Sequence, residues 1–376
     1  MSKILMINLP FSGHTNPTLQ LTRELVQRGH HVTYINAEVF RTQIEETGAE
    51  FVPYVNYPEN PTEKQKKTMC FMSAYDTALS LQDKFDLLIY EMFFYPGIKI
   101  AQALGIPCVR QFSQPAWNQN TMTDATAIFK LSCKMIDHMV MNKKSKVHMD
   151  LKKSSLKDSV LYDKPDLNIV YVPSVFQPHQ DSFDSSYVFA MPPMEDVISK
   201  MTIPYDKMKH PIIYISLGSI ISNRGFCKEC IRAFRNKEFS VILNTGKIRP
   251  ESLRKISDNI FAYSFVPQLE VLKNADVFLT HCGMNSVNEA LWAGVPMIAM
   301  PFVNDQLSNA KRITELGVGK RIRSFPSSSK EMYHTAKSII NDSSIYARCQ
   351  KVSEQLKIDS FVDVVNKVEN LLTSCN

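Results

Sequence analysis

Two histidines stand where side chains could do chemistry. His14 lies in "PFSGHTNP" (Pro10–Pro17) and His281 in "THCGMNSVNEALWAG" (Thr280–Gly294). Imidazole titrates near neutrality, so a positioned histidine can take a proton from a hydroxyl or donate a hydrogen bond to an anion. Around His281 stand Gly283, Asn285 and Ser286, and then Glu289. A helix start exposes backbone N–H groups and carries partial positive charge, which suits phosphate. Gly283 permits close approach of a ligand. Glu289, expected on the first helical turn, is a carboxylate able to grip vicinal sugar hydroxyls.

A plainer reading covers part of the same stretch. Ser286 and Glu289 have the S-x-x-E spacing of a capping box, and Gly294 would close the helix. That reading asks for neither His281, Gly283 nor Asn285. Upstream, "SFVPQLEVL" places Phe265, Val266 and Gln268 after an apolar run, and downstream come Asp305 and Gln306. A flat aromatic, a phosphate cradle, an acid for ribose and a second polar pair suit a nucleotide sugar. For His14 the plain reading is a loop histidine that bonds backbone groups. The functional reading is a general base.

The elements that must hold these residues alternate. "KILMINL" (Lys3–Leu9), "HVTYIN" (His31–Asn36), "FDLLIYE" (Phe85–Glu91), "CVRQFS" (Cys108–Ser113) and "LNIVYV" (Leu167–Val172) read as strands. Helix-like stretches separate them. Asn16-Pro17 reads as an N-cap with proline at the first helical position, and Gly29 as that helix's end. A second alternation holds "IIYISLG" (Ile212–Gly218), "SVILNTG" (Ser240–Gly246), "IFAYSFV" (Ile260–Val266), "VFLTHC" (Val277–Cys282) and "VPMIAMPF" (Val295–Phe302). Strand–helix alternation predicts α/β units with parallel sheets covered on both faces. The proline-rich stretch at 191–210 reads as a linker. The domains are expected at 1–190 and 211–355, with an amphipathic last helix at 356–376. The Met- and Lys-rich segment at 122–163 reads as amphipathic helix covering the first domain.

Composition sets the bounds. A chain of 376 residues suits two domains. The net charge of +6 permits an anionic ligand or contact with a membrane surface, and no nucleic-acid partner is expected. The start reads as a first strand and no secretory signal is expected, and no apolar run reaches the roughly 20 residues that span a bilayer. Eight cysteines spread thinly suit reduced thiols in a cytoplasm. Cys227 and Cys230 form a lone Cys-x-x-Cys, read as two ordinary helix cysteines.

The string "FVPQLEVL…ADVFLTHCGMNSVNEALWAGVPMIAMPFVNDQ" resembles the donor-binding signature of the UDP-dependent glycosyltransferases of the GT-B fold. Within those it is most similar to the bacterial macrolide and natural-product glycosyltransferases. "GHTNP" and the linker match too. The resemblance implies two Rossmann-like domains facing each other across a cleft, the first for the acceptor and the second for the UDP-sugar. It implies that the last helix packs back toward the first domain. Phe265, standing where the family often has tryptophan, would stack on uracil, and the Val266 backbone would pair with its edge. Gln268 would lie near the nucleoside. His281, Ser286 and the Gly283–Asn285 backbone would hold the pyrophosphate. Glu289 would bind ribose, and Asp305 and Gln306 the transferred sugar. Ser219 and Thr245 resemble positions that close the donor pocket.

The resemblance also implies that His14 is the base, oriented by a carboxylate after a later strand. The family usually has aspartate there; this chain has Glu91, one methylene longer. Asp86 starts the same strand and belongs at its other end. The reaction implied is inverting transfer of a sugar, glucose by default, to a small lipophilic acceptor such as a macrolide, phenol or flavonoid. No cofactor is implied, the UDP-sugar being a substrate, and no metal, since the chain contains no Asp-x-Asp pair.

Three other functions fit parts of the pattern. A dinucleotide-dependent oxidoreductase would need three glycines in the first strand–helix turn, where "LPFSGHTNP" has one. A glycolipid synthase at a membrane surface would use the basic segment near Lys143–Lys157. A non-catalytic nucleotide-sugar-binding protein would keep the cradle alone.

Overall fold

Each apolar run singled out above forms a strand, because a strand buried on both faces wants β-branched and leucine-type residues throughout. The computed structural model describes all residues except 126, 141–142, 152–153, 192, 195–200, 219–223, 254–255, 303–304, 324–327, 359–360 and 375–376. The chain divides into two compact units, Met1–Pro193 with Ser360–Asn376, and Met194–Asp359.

The first unit carries β1 (Lys3–Ile7), β2 (His31–Asn36), β3 (Glu50–Pro53), β4 (Leu87–Glu91), β5 (Cys108–Phe112), β6 (Leu167–Val170) and β7 (Tyr187–Phe189). All pair in parallel, in the spatial order β3-β2-β1-β4-β5-β6-β7. One face of this sheet packs Ile4, Met6, Ile89, Val109 and Ile169 against helix Leu19–Gln27 and helix Val362–Ser374. That last helix is pinned to the unit by Arg28 Nη1 on Glu369 Oε2 at 2.5 Å and by Phe361 stacked on Tyr171. It starts later than 356, since Ser343–Ile358 is a separate helix grouped with the second unit.

The second unit carries β8 (Ile212–Ser216), β9 (Ser240–Asn244), β10 (Ile260–Tyr263), β11 (Val277–Thr280), β12 (Met297–Ala299) and β13 (Gly319–Arg321). These too are all parallel, ordered β10-β9-β8-β11-β12-β13. Of the expected linker, 195–200 lies outside the described residues, and 201–210 groups with this unit through a 3-10 turn at Tyr205–Lys207.

The segment at 122–163 holds helices Ala127–Val140, Lys143–His148 and Leu156–Tyr162. The first of them packs on helix Glu63–Ser80. Cys227 and Cys230 lie buried on helix Arg224–Phe234. Among the described residues every cysteine is a buried free thiol, and no group of His, Cys, Asp and Glu gathers as a metal-ligand set. Among the same residues, no helix is long and apolar enough to cross a membrane.

Candidate active site

In an open parallel sheet, ligands bind off the carboxyl ends of the strands, where the order of connections reverses. In the first unit that point lies between β1 and β4. His14 follows β1 and Glu91 ends β4, so the topology alone brings them together. Asn16 is not the N-cap expected. A short helix begins earlier, at Ser12–Thr15, and runs through a 3-10 turn at Asn16–Thr18 into Leu19–Gln27, with no side-chain cap on Asn16. His14 therefore sits in a helical turn, held by a buried hub. Asn8 Nδ2 donates to the His14 carbonyl at 3.2 Å, to Thr18 Oγ1 at 3.2 Å and to Tyr34 Oη at 2.9 Å.

Glu91 reaches His14 despite its extra methylene. Its Oε1 lies 2.9 Å from His14 Nδ1, and its Oε2 accepts the Phe93 N–H at 2.8 Å. The Glu91 side chain is buried and His14 is a quarter exposed. A buried carboxylate must be paired, and here both oxygens are. A carboxylate that accepts hydrogen bonds suits the imidazole tautomer with its proton on Nδ1 and its basic lone pair on Nε2. Asp86, before β4, accepts the Lys3 backbone N–H at the opposite, amino-terminal end of the strands. Sequence reasoning missed four residues here. Ser113, directly after β5, places Oγ 3.1 Å from His14 Nδ1. Phe11 and Phe93 flank the imidazole edge-on, and Phe93 meets Trp117 in the same way. These side chains make an apolar wall beside a polar base.

In the second unit the order reverses between β8 and β11. Gly218 follows β8, and His281 follows β11. The His281 ring is boxed between two glycines. A Cβ on Gly283 would lie 2.4 Å from His281 Nε2, and one on Gly218, whose φ is +70°, would lie 2.6 Å from Cε1. Only glycine fits at either place. Cys282, between His281 and Gly283, takes a left-handed φ of 69°, its N–H on Thr280 Oγ1 at 3.1 Å. His281 Nδ1 is buried with no hydrogen-bond partner among the described residues. Burial pushes the imidazole down to about 4.

That shift has a sign. The folded unit keeps His281 neutral, while the unfolded chain takes up a proton below the ordinary value of 6.5. This contribution to stability is therefore fully present above pH 6.5 and is lost as the pH falls toward 4, by about 3 kcal/mol at 1.36 kcal/mol per unit. Urea unfolding across that range should show the loss, and His281→Asn should remove this part of it.

The helix after the turn runs Met284–Ala293, with Gly283 at its N-cap and no side chain there to cap it. Met284, Val287, Ala290 and Leu291 face the core, and Gly294, at φ 68°, ends it. Its far end is fastened by Ser353 Oγ, which donates to the Trp292 carbonyl at 2.6 Å. The expected capping box is absent. Ser286 is the third helical residue and Glu289 lies on the second turn, so neither is placed to cap. Both meet Gln268 instead. Gln268 Nε2 donates to Ser286 Oγ at 3.1 Å and to Glu289 Oε2 at 2.5 Å, while its Oε1 accepts from Tyr214 Oη at 3.1 Å. Burial raises the Glu289 carboxyl, and the Gln268 bond opposes that rise. Tyr214 itself stacks on Phe278 under the reversal point.

The other expected residues lie along the same strand ends. Phe265 follows β10 and is 64% exposed, an unusual setting for a phenyl ring, whereas the adjacent Val266 is buried. Thr245 follows β9, and its hydroxyl is directed at the Ile248 carbonyl of its own turn, at 2.5 Å, and at the Tyr263 carbonyl that ends β10, at 3.1 Å. Ser219 lies outside the described residues. Asn285 is half-buried on the first turn of the helix. Asp305 and Gln306 open helix Asp305–Glu315, where Gln306 Oε1 accepts the Phe302 N–H at 2.9 Å. Asn309, not singled out in the sequence, ties this helix to the turn by donating to the Cys282 carbonyl at 2.9 Å. Its signal was hidden, because a buried amide inside a helix looks like any surface asparagine.

Comparison with known proteins fits this geometry. The family model "UDP-glucoronosyl and UDP-glucosyl transferase" matches residues 118–360. The chain is 33% identical to NDP-glycosyltransferase YjiC of Bacillus licheniformis, over 94% of this chain and 93% of that one. It is 26% identical to oleandomycin glycosyltransferase of Streptomyces antibioticus, over 94% and 86%. Among solved structures, the glycosyltransferase of kitacinnamycin superposes with a TM-score of 0.83 at 25% identity, over 98% of this chain and 99% of that one. With two parallel-sheet units of the GT-B kind and a family match over most of its length, this chain belongs to the UDP-glucoronosyl and UDP-glucosyl transferase family and is a glycosyltransferase.

Proposed function

We propose that the protein moves a sugar, glucose by default, from a UDP-sugar to a hydroxyl of a small lipophilic acceptor, with inversion and without a metal. The observation that carries the reading is the contact of His14 Nδ1 with the buried Glu91 carboxylate at 2.9 Å. His14 Nε2 takes the acceptor's hydroxyl proton. The acceptor oxygen attacks the anomeric carbon from the side opposite the nucleotide, and the bond to the diphosphate breaks with its electron pair. UDP leaves. The uncapped start of helix Met284–Ala293 and His281 would meet the developing charge with dipoles already in place. Phe265 would stack on the base, Gln268 would brace Glu289 for ribose, and Asp305 with Gln306 would receive the sugar.

The acceptor class rests on the apolar wall of Phe11, Phe93 and Trp117 beside His14. Relatives named for oleandomycin and kitacinnamycin point the same way. The buried free thiols suit a reducing cytoplasm. A screen of UDP-sugars against phenolic, macrolide and lipid hydroxyls, read by mass, should show hexosyl addition from UDP-glucose to a phenol or macrolide. Modification of lipid alone would move the reading to a glycolipid synthase, and no addition with any donor would leave a binding protein.

A further inference from the structure

We infer that Ser113 is a positioning residue that fixes the orientation of the His14 imidazole during transfer. The inference rests on the reading of His14 as the base. His14 Nδ1 faces two oxygens carried by two neighbouring strand ends. Glu91 Oε1, at the end of β4, lies at 2.9 Å, and Ser113 Oγ, just after β5, lies at 3.1 Å. The strands are locked in register, with Glu91 paired to Gln111, so the two oxygens cannot drift apart.

The chemistry at Nδ1 settles who donates. A carboxylate beside an unprotonated Nδ1 would set lone pair against lone pair. Nδ1 therefore holds the proton, and the Ser113 hydroxyl accepts a share of it, turning its own proton elsewhere. A single acceptor lets a ring pivot about the N–H···O line. A second acceptor off that line removes the pivot and aims Nε2. Its value grows in the transition state, because the imidazolium formed there is a stronger donor at Nδ1 than the neutral ring. Ser113 is 8% exposed, so bulk water is poorly placed to replace its hydroxyl.

The test uses the full chain with Ser113→Ala, Ser113→Thr and His14→Ala, and the best donor and acceptor from the screen. Ser113→Ala should lower kcat about five- to tenfold, what one modest hydrogen bond supplies. KM for the UDP-sugar should stay unchanged, and Ser113→Thr, which keeps the hydroxyl, should restore kcat. In protein labelled with ¹⁵N-histidine, the His14 ring signals, assigned by their loss in His14→Ala, should shift toward mixed tautomers in Ser113→Ala. Unchanged kcat in Ser113→Ala beside an inactive His14→Ala would overturn the inference alone. So would a loss that threonine does not restore with the His14 signals unmoved, which marks simple packing. An active His14→Ala would remove the base reading and this inference with it.

Discussion

His14→Ala is expected to lower the transfer rate by roughly 10²- to 10⁴-fold, the usual worth of a positioned general base. UDP affinity should be unchanged, because the expected nucleotide cradle belongs to the other unit. Steady-state kinetics with calorimetric titration of UDP separates the two effects. Near-normal turnover would remove His14 from the reaction. The same geometry makes a sharper claim about its partner. Glu91 spans two contacts, the imidazole at 2.9 Å and the Phe93 N–H at 2.8 Å, from a backbone fixed by β4. Glu91→Asp restores the residue usual in the family, yet its shorter arm must give up one of these contacts. It should therefore be slower than the native enzyme.

Gly283→Ala should weaken UDP binding by about 10- to 100-fold, the effect of roughly 1–3 kcal/mol of overpacking at a closed site. The added methyl would sit 2.4 Å from His281 Nε2, and the ring has no room to retreat, since Gly218 closes its other side. Calorimetry gives the affinity, and a melting curve checks that the second unit still folds. Wild-type affinity in a folded variant would mean that the nucleotide does not touch this turn.

Much of the fold was legible because buried parallel strands announce themselves as apolar runs. "HVTYIN" and "SVILN" needed no context. The short edge strands β3, β7 and β13 were not legible. Edge strands bury less, and "YVF" in β7 is only half-buried along its length. Local caps were also misread. The spacing of Ser286 and Glu289 matches a capping box, but the backbone turns into the helix at Gly283, and Gln268 from another helix claims both side chains. Asn16-Pro17 misled in the same way, since the helical turn had already begun at Ser12. Spacing shows which residues share a face. It does not show which distant side chain will reach them. Ser113 and Asn309 fall in that blind spot, each made relevant by a partner far away in sequence.

The reaction at the centre of this reading leaves a stereochemical mark. With α-linked UDP-glucose as donor, one displacement assisted by His14 must give a β-glucoside. The anomeric proton coupling of the purified product, read by NMR, reports the configuration directly. A β product is expected. An α product would contradict a single displacement at this site and would require a different role for His14 and Glu91.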